Sequence, residues 1–251
     1  MIKQKLPSSY AEITVKMWRY FAFIEPSEFD TVSDYEREVL FSLFSELGVD
    51  YLDFDTDELK NFSWIFTRKI RQTQPPKKID EFSFMDLKDC TLGDFIDLEK
   101  KYNKGVKGWF DCVALLLRRE KLDDWQNKII EPRNFKSVDR HYLVDKLKVS
   151  ELIGKVNEIG QFINNTTSSY KPIFEQNEDE QQENKDEQPS EADKLKLAFK
   201  WERFLFYACD GDLMKIQELL KLNVFYVFNF LSMQQLLKIY PNNYSWQNVS
   251  K

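Results

Sequence analysis

The chain's single histidine, His141 in VDRHYLVD, is the first place to look for chemistry, because imidazole is the commonest general base and metal ligand near neutral pH. It has no second imidazole to share a metal and no cysteine at ligand spacing. A Ser–His–Asp or Cys–His arrangement assembled in space stays open, although nothing in the spacing points to one. Carboxylates cluster in DYLDFDTDELK, where Asp53, Asp55, Asp57 and Glu58 follow one another closely. A calcium loop needs a regular acidic ladder, a glycine at the bend and a distal glutamate. Here Phe54 and Thr56 interrupt, the glycine is missing, and the acids read instead as the start of a helix. The seven glycines are scattered, so no phosphate-cradling loop is written. Cys90, Cys112 and Cys209 lie far apart with no CxxC, which reads as reduced thiols in a cytosol. The expectation is no catalytic residue, no metal ligand and no cofactor.

Composition sets the class. Hydrophobic residues make up 42% of the 251 and charged ones 31%, which is globular. A net charge of −6 argues against a broad nucleic-acid face. The two compact basic groups, Arg68–Arg71 and Arg118–Arg119–Lys121, read as helix ends, where cations suit the dipole. No run of about 18 apolar residues occurs, so the reading is of a soluble cytoplasmic protein with no membrane span. Aromatics reach 15%, with 21 Phe, which means either a Phe-rich core or an exposed aromatic binding surface.

The elements follow from periodicity. Val15, Met17, Trp18 and Phe21 fit a short helix stopped by Pro26. Ser33 and Glu36 read as a capping box for a helix that Gly48 closes. A third helix begins near Thr56, with Leu59, Phe62, Ile65 and Phe66 inward. Phe82 and Phe84 alternate with polar residues, so 79–90 reads as a short strand or hairpin arm. Thr91 with Asp94 caps the next helix, which buries Phe95 and Ile96 and turns Asp94, Asp97 and Lys101 outward. Gly105 ends it, Gly108 loosens the following start, and Trp109–Arg119 forms a second helix, making a helical hairpin. The stretch Leu122–Asn134 reads as irregular with a short helical turn. Lys146–Ile163 is helical, weakened by Gly154 and Gly160.

Composition then changes. Residues 164–192 contain NNTTSS and NEDEQQENKDEQ, with little to bury, and read as a disordered acidic linker or an acidic lure for a basic partner. Residues 193–240 return to helix as a three-helix module, with a turn at Asp210–Gly211–Asp212. Asn223 starts VFYVFNFLSMQQLLKI, which is apolar almost all round at its N-terminal half and so is either central in its module or an interface. Residues 241–251 read as an extended tail. Phe225, Phe228 and Leu231 are the candidate protein-binding residues, on a client or self-association surface, with core of the module as the other reading.

Three stretches in order carry a resemblance: ITVKMWRYFAF with its GVD turn and DFDTDEL, then TLGDFIDLE, then WERFLFYACDGDLMKIQELLKLNVFYVFNFL. They resemble the tail assembly chaperones of tailed bacteriophages and related small helical virion-assembly proteins, chiefly through Thr91, Leu92, Gly93, Phe95, Ile96, Gly211 and Asp212. The acidic linker and the aromatic tail depart from that pattern. The resemblance implies a non-enzymatic protein that binds an aggregation-prone tail protein in the host cytoplasm. The alternative is a structural component of the virion, in its connector, tail or interior. The fold expected is mainly α: a helical N-terminal domain over 1–163 with a short β-hairpin, the linker, and a small C-terminal helical module.

Overall fold

The computed structural model describes residues 6–67, 69–122, 128–130, 140–171, 173 and 199–239. The protein is mainly α, with one small antiparallel sheet. It divides into two compact units, neither continuous in sequence: Met1–Met85 with Lys100–Gly160, and Asp86–Glu99 with Gln161–Lys251. This division does not follow the ranges read from the sequence, because Asp86–Glu99 groups with the C-terminal helices. The tail 241–251 and residues 174–192 of the expected linker lie outside the described residues.

The first unit opens with α1 (Val15–Arg19), capped by the Thr14 hydroxyl, which accepts from the Met17 N–H. Extended backbone on either side of Thr14 sews this segment to a later one: Val15 N–H donates to Leu147 O at 2.8 Å, and Val149 N–H to Ile13 O at 3.0 Å. Next comes α2 (Val32–Leu47), which buries Val39, Leu40, Leu43 and Phe44 and stops at Gly48, φ 68°. Its cap is Thr31, not Ser33. The Thr31 hydroxyl accepts from Asp34 N–H at 3.1 Å and donates to the Asp34 carboxylate at 2.6 Å, so that pair starts the helix two residues early. The third expected helix is broken into α3 (Thr56–Lys60) and α4 (Trp64–Thr67). Asp55 and Glu58 form a reciprocal capping box at its start, the role the acidic cluster was read to play. Phe44 gathers Phe54 and Phe62, each 4.8 Å away between ring centroids.

The expected hairpin arm is found in the first half of 79–90, while Leu87–Asp89 forms a 3-10 turn instead. Strands β1 (Lys78–Ile79) and β2 (Phe82–Phe84) pair antiparallel around Asp80, which takes a left-handed φ of 54°. β2 then pairs with β3 (Leu117–Leu122), and β3 with β4 (Lys128–Ile130), in the order β1-β2-β3-β4. Two sequence readings are corrected here. Leu122–Asn134 contributes a strand instead of a helical turn among its described residues, and the helix before β3 ends at Leu116 instead of Arg119. Pairing of Leu117 with Phe84 and Arg119 with Phe82 captures that segment as strand, a long-range choice that local propensity cannot see.

That helix is α6 (Val106–Leu116), which follows α5 (Leu92–Tyr102) across Gly105 at φ 63°. Gly108 therefore lies inside α6, where a Cβ would fall 1.8 Å from Lys101 O; it permits a close approach. α7 (His141–Val144) leads to α8 (Val149–Ser169), which runs six residues past its expected end at Ile163. The two glycines that weakened the reading of α8 are needed for packing. A Cβ at Gly154 would lie 2.2 Å from Thr73 O, and one at Gly160 2.4 Å from the Tyr102 hydroxyl.

The second unit contains α9 (Lys200–Ala208), α10 (Leu213–Leu219) and α11 (Val224–Ile239). The expected turn is present: Asp210 and Gly211 take φ of 51° and 77°, and Asp212 caps α10 through Met214 and Lys215 N–H. Asn223 caps α11, accepting from Phe225 N–H at 3.0 Å. Thr91 and Asp94 exchange hydrogen bonds at the start of α5, the Asp94 N–H to the hydroxyl at 3.1 Å and the hydroxyl to the carboxylate at 2.8 Å. Asp94 is consequently buried rather than on the outer face. Phe95 centres the core, edge-on to Phe162, Trp201 and Phe228 at 5.6 to 5.8 Å. Beside it Glu99, also buried, accepts from the Trp201 indole N–H and pairs with Lys200 at 3.3 Å. Among the described residues, no helix is long and apolar enough to cross a membrane.

Candidate protein-binding groove

Chemistry-bearing residues are mostly engaged in holding the fold. His141 stands at the start of α7 with Nε2 2.6 Å from Asp111 Oδ1, and Lys101 Nζ meets Asp111 Oδ2 at 3.0 Å. Burial pushes the Asp111 carboxyl up, but Lys101 and His141 together outweigh it and hold the group below its ordinary value. The neighbouring Cys112 thiol is pushed by burial up to about 12, so it stays protonated at neutral pH. Cys90, Cys112 and Cys209 are all buried. Among the described residues, no group of three or more His, Cys, Asp or Glu could hold a metal ion.

Strand geometry changes the role of the second basic group. Arg118 is buried in β3, its Nε donating to Leu115 O at 2.9 Å. Arg119 is exposed, pairs with Glu81 at 2.5 Å and lies 5.2 Å from the Phe82 ring centre. Arg140 approaches that ring to 4.7 Å and donates to Leu117 O. These arginines brace the sheet; they are not a helix end. Arg68, and the side chain of Lys121, lie outside the described residues.

The concave feature is in the second unit. Hydrogen bonds from Leu92 N–H to Leu222 O (2.8 Å) and from Gly93 N–H to Leu220 O (3.0 Å) pin the link between α10 and α11 to the start of α5. Val224 N–H returns one to Cys90 O at 3.0 Å. Beside that link lies an apolar groove. Ala208 at the end of α9 and Leu219 and Leu222 near the end of α10 form one wall. Tyr226, Val227, Phe230 and Leu231 of α11 form the other. Its cavity volume of about 160 Å³ is close to that of an engineered cavity that holds one benzene, and well under the 300 Å³ or more of a small-molecule site. One bulky apolar side chain fits it.

The three candidate residues separate. Phe228 is 0% exposed, inside the aromatic core with Phe95, Trp201, Tyr170 and Phe204, so it supports the surface from behind. Phe225 is half-buried, 6.0 Å from Phe162. Leu231 is half-buried and lines the groove. The residues that stand out from this helix are ones not singled out in the sequence: Tyr226, Phe230 and Met233, exposed by 64%, 54% and 53%. Their spacing of four and then three residues was legible. Which face of an almost wholly apolar helix is covered was not.

Comparison of the chain with protein-family models, with curated proteins and with solved structures finds no match.

Proposed function

We propose that this chain is a non-enzymatic assembly protein of a tailed bacteriophage, a tail assembly chaperone that holds an apolar segment of a tail protein in the host cytoplasm. The observation that carries the reading is the groove bounded by Leu219, Leu222, Tyr226 and Phe230, open to solvent and sized for one side chain. A client segment presenting a large apolar residue would anchor there, with exposed Tyr226 and Phe230 along its flank. The residues of the resemblance support the same unit. Thr91, Leu92 and Gly93 form the frame that holds the α10–α11 link, Phe95 centres the core behind it, and Gly211 and Asp212 make the turn into α10. A net charge of −6 would keep the loaded complex soluble.

Mass spectrometry of purified phage particles beside an infected-cell lysate tests the reading. The chaperone is expected in the lysate, bound to a tail protein, and missing from particles. Stoichiometric recovery in particles would replace it with a structural component of the virion. Co-purification of the tail protein with wild type but not with Phe230→Glu is the expected companion result.

A further inference from the structure

We propose that the exposed face of α11 is the seam of a dimer between two copies of this chain. Three observations converge on that occupant. Tyr226, Phe230 and Met233 are spaced four and three residues apart, the 3.5-residue average at which two helices keep one seam facing each other. The sequence continues the spacing at Leu237.

The second observation is charge. From Val224 to Leu237 there is no Asp, Glu, Lys or Arg. Two copies of a chain with net charge −6 repel each other over most of their surface, and this is a segment where they meet no like charge. An acidic or basic partner would find no complement on it.

The third is area. Leu222, Tyr226, Phe230 and Met233 are all exposed, and side chains of this size half in water offer roughly 100 Å² apiece. With the groove rim, a pair of copies would bury about 1,000 Å² in total, the lower bound for a specific interface. The dimer is therefore a dissociable one. A two-fold pairing is self-complementary, so one stripe suffices. Because the seam shares Tyr226 and Phe230 with the groove, pairing stores the apolar face until a client displaces the second copy; that last clause rests on the proposed function.

Sedimentation equilibrium of the full-length chain from about 1 to about 100 µM tests it. The mass is expected to rise with concentration from 30.1 kDa toward twice that value. Phe230→Glu and Met233→Glu should hold the single-copy mass with an unchanged helical circular dichroism spectrum, since both side chains are already exposed. Phe230→Cys should cross-link to itself under mild oxidation while Leu52→Cys, still more exposed on the other unit, does not; the native cysteines are buried. A single-copy mass throughout, or equal cross-linking at both positions, overturns the dimer. A wild-type chain that stays single-copy and still captures the tail protein overturns the dimer and leaves the chaperone reading standing. A dimer that captures none breaks the chaperone reading alone.

Discussion

The two units place their exposed apolar side chains differently. In the first, Tyr20, Val32, Phe41, Leu52 and Tyr142 are spread along the chain: Tyr20 ends α1, Val32 starts α2 and Phe41 lies within it, Leu52 is in the turn before α3, and Tyr142 is in α7. In the second, Phe206, Tyr207, Leu213, Met214, Leu222, Tyr226, Phe230 and Met233 fall within one run of three helices. Scattered apolar residues are ordinary on a protein surface, whereas clustered ones mark an interaction face. The first unit closes its core with a sheet, loops and arginines laid over Phe82. Among its described residues the second has helices and no strand, and its last helix, apolar on nearly every side, leaves Tyr226, Phe230 and Met233 exposed.

The largest expected effect tests whether α11 has an inner and an outer face. Phe228→Ala should cost about 3–5 kcal/mol in chemical unfolding, because it empties the centre of the aromatic cluster. Tyr226→Ala, two residues away, should cost under about 1 kcal/mol. Equal losses would break the comparison.

Next is the first unit's dependence on close packing. Gly154→Ala should cost about 1–3 kcal/mol, since its methyl group would meet the Thr73 carbonyl at 2.2 Å. A neutral result would mean that the Thr73 segment yields easily.

A smaller loss is expected at the frame of the groove. Thr91→Ala removes the cap of α5 and should cost about 1–2 kcal/mol by thermal melting. It should weaken client capture as well, because the α10–α11 link hangs on Leu92 and Gly93.

The sharpest contrast has almost no stability cost. Phe230→Glu should change stability by under about 0.5 kcal/mol yet remove most of the fluorescence of an apolar-surface dye, whereas Phe41→Glu on the first unit should leave the dye signal intact.

The last effect is modest and belongs to the first unit alone. Asp111 has its folded-state pKa lowered, so the stabilisation is present above the unfolded value of about 3.9 and is lost as pH falls through the folded value. Urea midpoints of wild type should therefore drop below about pH 4 more steeply than those of Asp111→Asn.

What the sequence determined by itself is what local rules decide. The Thr91–Asp94 cap, the stop at Gly48, the Asp55–Glu58 helix start, the Asp210–Gly211–Asp212 turn and the Phe82–Phe84 hairpin arm each depend on residues within a few positions of one another, and each is found in the structure. Long-range contacts decided the rest. Arg118 and Arg119 are strand residues because β2 pairs with them, and Gly154 and Gly160 support α8 because Thr73 and Tyr102 come close. The same holds for the candidate site. The sequence carried the 226–230–233 spacing and the apolar character of α11, but a helix apolar all round holds no internal record of which face is covered. Only the packing of Phe95, Trp201 and Phe228 decides that Phe228 turns inward and Phe230 meets water.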